Sequence, residues 1–134
     1  MSKLESIEGI GPVCAGKLGT IGIKTQEQLL QECAQPAGRK QVAEKCDISA
    51  KLILKWANRA DLARVKGIGE EYADLLEVAG VDTVPELAQR NAANLHKKME
   101  EVNNEKNLVR RLPSDSQVEK WVGEAKGLPR ALHY

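Results

Sequence analysis

A chain of 134 residues and 14.7 kDa is one ordinary domain or two very small ones, and 42% hydrophobic with 29% charged residues describes a soluble globular composition. With 3% aromatic residues and no Phe, the core has to be built from Leu, Ile, Val and Ala, which suits packed helices better than a β-sandwich. Twenty Lys and Arg against nineteen Asp and Glu leave a net charge of +1, so the whole molecule is no electrostatic magnet for nucleic acid or an acidic membrane, and any charge-based function has to be local.

From the N-terminus, MSKLESIEG lacks the apolar core of a secretory leader, and no later apolar run approaches the roughly 18 to 20 residues that span a bilayer. The expectation is a cytoplasmic protein with no membrane partner. The stretch from Ile7 to Leu30, IEGIGPVCAGKLGTIGIKTQEQLL, then reappears 58 residues later from Val65 to Ala88 as VKGIGEEYADLLEVAGVDTVPELA. Eight of the 24 positions are identical, and they include Gly9, Gly11 and Gly22 against Gly67, Gly69 and Gly80.

Each copy reads as a tight Gly-Ile-Gly turn between helices, with Ile10 or Ile68 plugged into the core. A helix starts just after Gly11, where Pro12 suits the first turn, and just after Gly69, where Glu70 and Glu71 suit the helix dipole. Gly22 and Gly80 end these helices in the left-handed manner, and Thr25 and Thr83 cap the next ones. Glu86 stands three residues after Thr83, as in a capping box.

Residues 37–62 predict two more helices, the second capped by Asp47 or Ser49 and carrying Ile53, Trp56 and Ala60 on one face. Leu95, Met99, Val102, Leu108 and Leu112 predict helices broken near Asn103 and Asn104, and Pro113, Ser114 and Asp115 begin the last one. Lys120, Trp121 and Ala125 answer Lys55, Trp56 and Ala60 at an offset of 65, so the second copy carries about seven inserted residues. The expected architecture is a single all-α domain over 1–134, compact and pseudo-twofold, with repeat one at 1–62 and repeat two at 63–134.

Chemistry-bearing residues are sparse. Cys14, Cys33 and Cys46 form no CxxC pair and read as small apolar residues, and His96 and His133 offer little for catalysis or metal binding. There is no P-loop and no nucleophile paired with a base, so the chain reads as no enzyme. The basic pairs Arg39–Lys40, Lys97–Lys98 and Arg110–Arg111 read as solvated faces, and the repeated Trp56 and Trp121 as core anchors.

The paired turns, Gly9-Ile10-Gly11 and Gly67-Ile68-Gly69, resemble helix-hairpin-helix motifs, and two of them together resemble the tandem module of DNA repair and recombination proteins. LLEVAGVDTVPELA is similar to a unit of the C-terminal domain of the bacterial RNA polymerase alpha subunit. Over its full length the chain resembles an uncharacterised bacterial family with duplicated hairpins, a domain of unknown function numbered 4332.

The resemblance implies a grip on the backbone of double-stranded DNA without regard to sequence. Its contacts would be the turns at Gly9, Ile10, Gly11 and Val13 with Lys17, and at Lys66, Gly67, Ile68 and Gly69. It further implies a monovalent cation on turn carbonyls at Gly9 or Gly67, with no other cofactor. The physical basis is that backbone N–H groups opening a helix lack intrahelical acceptors and face outward at its positive end. In the second copy Glu70, Glu71, Asp74 and Glu77 would repel a phosphate. Residues 1–64 carry ten basic and seven acidic side chains, net +3, and residues 65–134 carry ten and twelve, net −2, which points to the first hairpin. The alternative is an architectural pair of hairpins, with an acidic face around Glu70, Glu71, Asp74 and Glu77, or an exposed apolar strip, that docks a protein partner or a second copy.

Overall fold

The computed structural model describes residues 3–7 and 9–133, so Glu8, the second position of the first repeat, and the first two residues of the N-terminal stretch lie outside it. Among the described residues a 3₁₀ turn (Leu4–Ser6) precedes eight α-helices: α1 Pro12–Thr20, α2 Gln26–Glu32, α3 Pro36–Cys46, α4 Ala50–Leu62, α5 Glu70–Val78, α6 Val84–Ala88, α7 Ala92–Lys106 and α8 Asp115–Gly127. The only pairing of extended backbone there is an isolated antiparallel bridge between Lys3 and Thr25, and the fold is all-α.

Local chemistry sets the helix ends. α1 stops in a Schellman arrangement: Ile23 N–H donates to Leu18 O at 3.0 Å and Gly22 N–H to Gly19 O at 3.1 Å, with Gly22 at φ 87°. α5 stops the same way, with Val81 N–H on Leu76 O at 2.8 Å and Gly80 at φ 101°. Thr25 Oγ1 accepts from Gln28 N–H at 3.1 Å and caps α2. Of the two candidates for α4, Ser49 takes the cap position, accepting from Lys51 N–H at 3.2 Å, whereas Asp47 closes α3 in the left-handed conformation at φ 53°.

Two local expectations need correction. Thr83 does not cap α6 through its side chain; its hydroxyl is turned into a donor to Glu86 Oε1 at 3.0 Å, so the expected pair meets without forming the box. The full box is found at α8, where Ser114 Oγ accepts from Gln117 N–H and Gln117 Oε1 accepts from Ser114 N–H. The helix expected to break near Asn103 and Asn104 runs through both and ends at Asn107, left-handed at φ 51°. Asn103 instead holds the following loop, accepting from Val109 N–H at 3.0 Å and donating to Val109 O at 3.3 Å.

The helices fall into two units, one reaching to Asp61 and taking in the chain again from Arg130, the other spanning Leu62–Pro129. In the first, α1 and α2 pack on α3, and Leu18, Leu29, Ile53 and Trp56 lie at the centre of an aliphatic core that Leu132 completes. In the second, α8 packs on α6 and α7 and α7 on α5, around Leu76, Leu87, Met99 and Trp121. Trp121 stacks obliquely on Tyr72 at 5.3 Å between ring centroids.

Arg39 departs from the solvated face expected of it. It is 7% exposed, and its guanidinium donates to Cys33 O at 2.9 Å and to His133 O at 2.9 Å, fastening the C-terminal segment to the first unit.

Candidate nucleic-acid interface

Within each Gly-Ile-Gly turn the two glycines have different roles. Ile10 N–H donates to Ile7 O at 3.1 Å and Ile68 N–H to Val65 O at 3.2 Å, closing four-residue turns in which the third residue is Gly9 or Gly67. Both glycines hold φ 94°, a left-handed conformation that strains a side chain. A Cβ on Gly9 would also stand 3.3 Å from the indole Nε1 of Trp56, and one on Gly67 3.1 Å from that of Trp121. Ile10 and Ile68 are buried and anchor the turns, whereas Gly9 and Gly67 are exposed and shape them through the backbone.

The second glycines answer to neither demand. Gly11 is extended at φ −88°, ψ −177°, and Gly69 at φ −94°, ψ −171°, and a Cβ on either would meet nothing within 4 Å. Each occupies the cap position of the following helix without a side-chain cap. At α1 the amides of Val13 and Cys14 lie in the first turn, where no intrahelical acceptor exists, and Pro12 contributes no N–H. Gly11, Pro12, Val13 and Lys17 are exposed, Val13 at 72%. The start of α1 is therefore an accessible patch of backbone donors, with a cation one turn along the helix.

The second Gly-Ile-Gly turn offers a different field. Lys66 N–H already donates to both carboxylate oxygens of Glu124, each at 3.3 Å, and Glu70 and Glu71 stand exposed in the first turn of α5. At the offset of 65 that aligns the two Trp-bearing helices, the counterpart of Glu124 is Arg59. At the offset of 58, the counterpart of Lys17 is Leu75, which is fully buried. Val13 thus shares an exposed helix start with Gly11 in the first unit, with Lys17 exposed in the last turn of the same helix, while Lys66, Gly67, Ile68 and Gly69 precede an acidic start in the second.

A cleft of about 430 Å³ lined by Tyr72, Arg111, Leu112, Ser114 and Gln117 was not anticipated from sequence, because the loop that forms one wall has no counterpart in the first copy. Tyr72 donates its hydroxyl to Arg111 O at 3.1 Å, and Ser114 and Gln117 bond each other, so most of its polar lining is engaged internally. Among the described residues no group of three or more His, Cys, Asp or Glu converges as a metal site. No helix there is long and apolar enough to cross a membrane.

No curated protein and no solved structure gives a significant match to this chain. A family profile matches residues 8–128, from the first Gly-Ile-Gly turn to the end of the last helix, and by that match the chain belongs to the family described as a domain of unknown function, DUF4332.

Proposed function

We propose that the protein is a non-catalytic module that binds the backbone of double-stranded DNA through its first helix-hairpin-helix turn, independently of sequence. The observation that carries this reading is the exposed, uncapped start of α1 at Gly11, whose first turn holds no carboxylate, whereas the equivalent start at Gly69 is followed by Glu70 and Glu71. Leaving out a side chain there keeps the approach to the amides of Val13 and Cys14 open, and Lys17 adds a charge that its counterpart Leu75 lacks. Phosphate held in this way is read by position and charge, so affinity falls steeply with salt and is indifferent to base sequence.

Fluorescence anisotropy of a labelled mixed-sequence duplex, at low and near-physiological salt, tests this reading with Gly11→Asp and Lys17→Glu as variants. Gly11→Asp supplies the missing cap and places a carboxylate where the phosphate would sit, so the helix is kept while binding is lost. Binding by the wild type that either variant abolishes supports the grip. No binding at low salt overturns it, and leaves the hairpins architectural, with Val13 exposed at 72% as the place to seek a protein contact.

A further inference from the structure

His96 on α7 reaches two oxygens of the segment that follows the helix. Its Nε2 lies 2.8 Å from the carbonyl of the buried Pro113, and its Nδ1 lies 3.1 Å from Oδ1 of Asp115, the first residue of α8. The ring is 15% exposed and the Asp115 side chain 77%. A carbonyl and a carboxylate only accept, so both contacts are hydrogen bonds only if both ring nitrogens donate. A neutral imidazole donates from one nitrogen and accepts at the other, and the imidazolium alone donates from both. The segment held in this way is a wall of the cleft beside Tyr72: Leu112 and Ser114 flank Pro113, and Gln117 stands in the first turn of α8. Asp115 is the charged group that meets the ring. Lys97 and Glu100 neighbour it on α7, Glu119 lies a turn further along α8, Arg110 and Arg111 stand in the loop, and α5, which also packs on α7, carries Glu70, Glu71, Asp74 and Glu77. Among the described residues none of these is bonded to His96.

We propose that His96 is a proton-operated clamp on the start of α8. As the imidazolium it donates to the Pro113 carbonyl and to the Asp115 carboxylate together, and so pins both the loop and the first turn of α8 to α7. When the ring gives up a proton to solvent, the shorter contact, from Nε2 to Pro113 O, keeps its hydrogen, and the Nδ1 lone pair is left facing a carboxylate oxygen at 3.1 Å. That contact is repulsive, and the exposed Asp115 side chain turns to water. The first turn of α8 then loses this tie to α7, while the Ser114 box, which closes within the turn itself, stays made. The proton therefore sets the freedom of Ser114 and Gln117 in the cleft without unmaking the helix. This inference is independent of the nucleic-acid reading.

The test compares the full chain at about pH 5.5 and about pH 8, on either side of the range in which histidines change charge. Nuclear magnetic resonance shifts of the imidazole nitrogens, with His133 as the internal comparison, report how many protons the His96 ring carries and on which nitrogen. Protons on both nitrogens at the lower pH, and on Nε2 alone at the higher, are expected. Amide hydrogen exchange over residues 114–118, corrected for its intrinsic pH dependence, is expected to be about two- to fivefold faster at the higher pH, the size of an ion pair with one exposed partner. In Asp115→Asn the side-chain amide offers the ring an acceptor or a donor, so the contact is kept in both states and the difference is expected to vanish. A neutral ring with its proton on Nδ1, equal exchange at both pH values in the wild type, or a difference that persists in Asp115→Asn overturns the proposal. The wild-type nitrogen shifts and exchange decide the question even if the variant fails to fold.

Discussion

Gly67 lies so close to the indole nitrogen of Trp121 that a Cβ there would stand 3.1 Å from Nε1, and Gly9 bears the same relation to Trp56 at 3.3 Å. Each turn is thus seated on a tryptophan from a helix far along the chain, and the left-handed glycine makes the close approach possible. Gly9→Ala and Gly67→Ala are expected to cost about 1–3 kcal/mol each, from the positive φ and the displaced ring. Urea denaturation followed by Trp fluorescence measures this, since the perturbed ring is itself the reporter.

Gly11 and Gly69 provide the contrast. Extended and unencumbered, they accept a side chain at no steric cost, and a capping one is favourable. Gly11→Asp is expected to raise stability by a few tenths of a kcal/mol, read as a shifted denaturation midpoint with unchanged slope. A loss of DNA binding in a variant so stabilised would separate the surface role of this glycine from the structural role of Gly9.

The Ser114 cap predicts a second difference. Ser114→Ala removes the hydroxyl that accepts from Gln117 N–H, leaves the bond from Ser114 N–H to Gln117 Oε1 available, and is expected to cost about 1 kcal/mol. Thr83→Val, which deletes only a hydroxyl bonded to the Glu86 carboxylate, leaves no helix cap unmade and is expected to cost less. Paired thermal melts rank the two variants.

Cys33 gives the stability a dependence on pH. Its thiol ionises at about 11 in the folded chain instead of 9.0, because burial penalises the thiolate. Between those values the unfolded chain releases a proton that the folded one keeps, so unfolding gains ground as pH rises, by at most about 1.4 kcal/mol per pH unit. Cys33→Ala is expected to flatten this fall, and denaturation midpoints from pH 8 to about pH 11 for both proteins measure the difference.

Arg39 is expected to be the costliest polar residue to remove from the first unit. Arg39→Met leaves the carbonyls of Cys33 and His133 without this donor and is expected to destabilise by about 2–4 kcal/mol. Limited proteolysis near Arg130 should accelerate in parallel.

What sequence made legible was largely local. Gly22, Gly80, Thr25 and Ser114 act within one turn of their own positions, so their types announce their roles. The division between Gly9 and Gly11 was hidden, because it depends on a tryptophan 47 residues away. Arg39 looked like half of a surface pair, and its partner carbonyls come from a chain end that no pattern ties to α3. Asn103 looked like a helix breaker because its side chain competes for backbone groups, and it does so with Val109, beyond the helix it sits in. The charge contrast of the two Gly-Ile-Gly turns was legible at Glu70 and Glu71, but Glu124 joined it only through the fold.

The segment from Arg130 to His133 returns to the first unit, where Leu132 enters the core, His133 N–H meets Ala34 O at 2.8 Å and Arg39 grasps the His133 carbonyl. The second unit is therefore nested inside the first in the order of synthesis. A ribosome finishes every residue of the inner unit before it delivers the last stitch of the outer one, so the half that begins first is the half that is completed last.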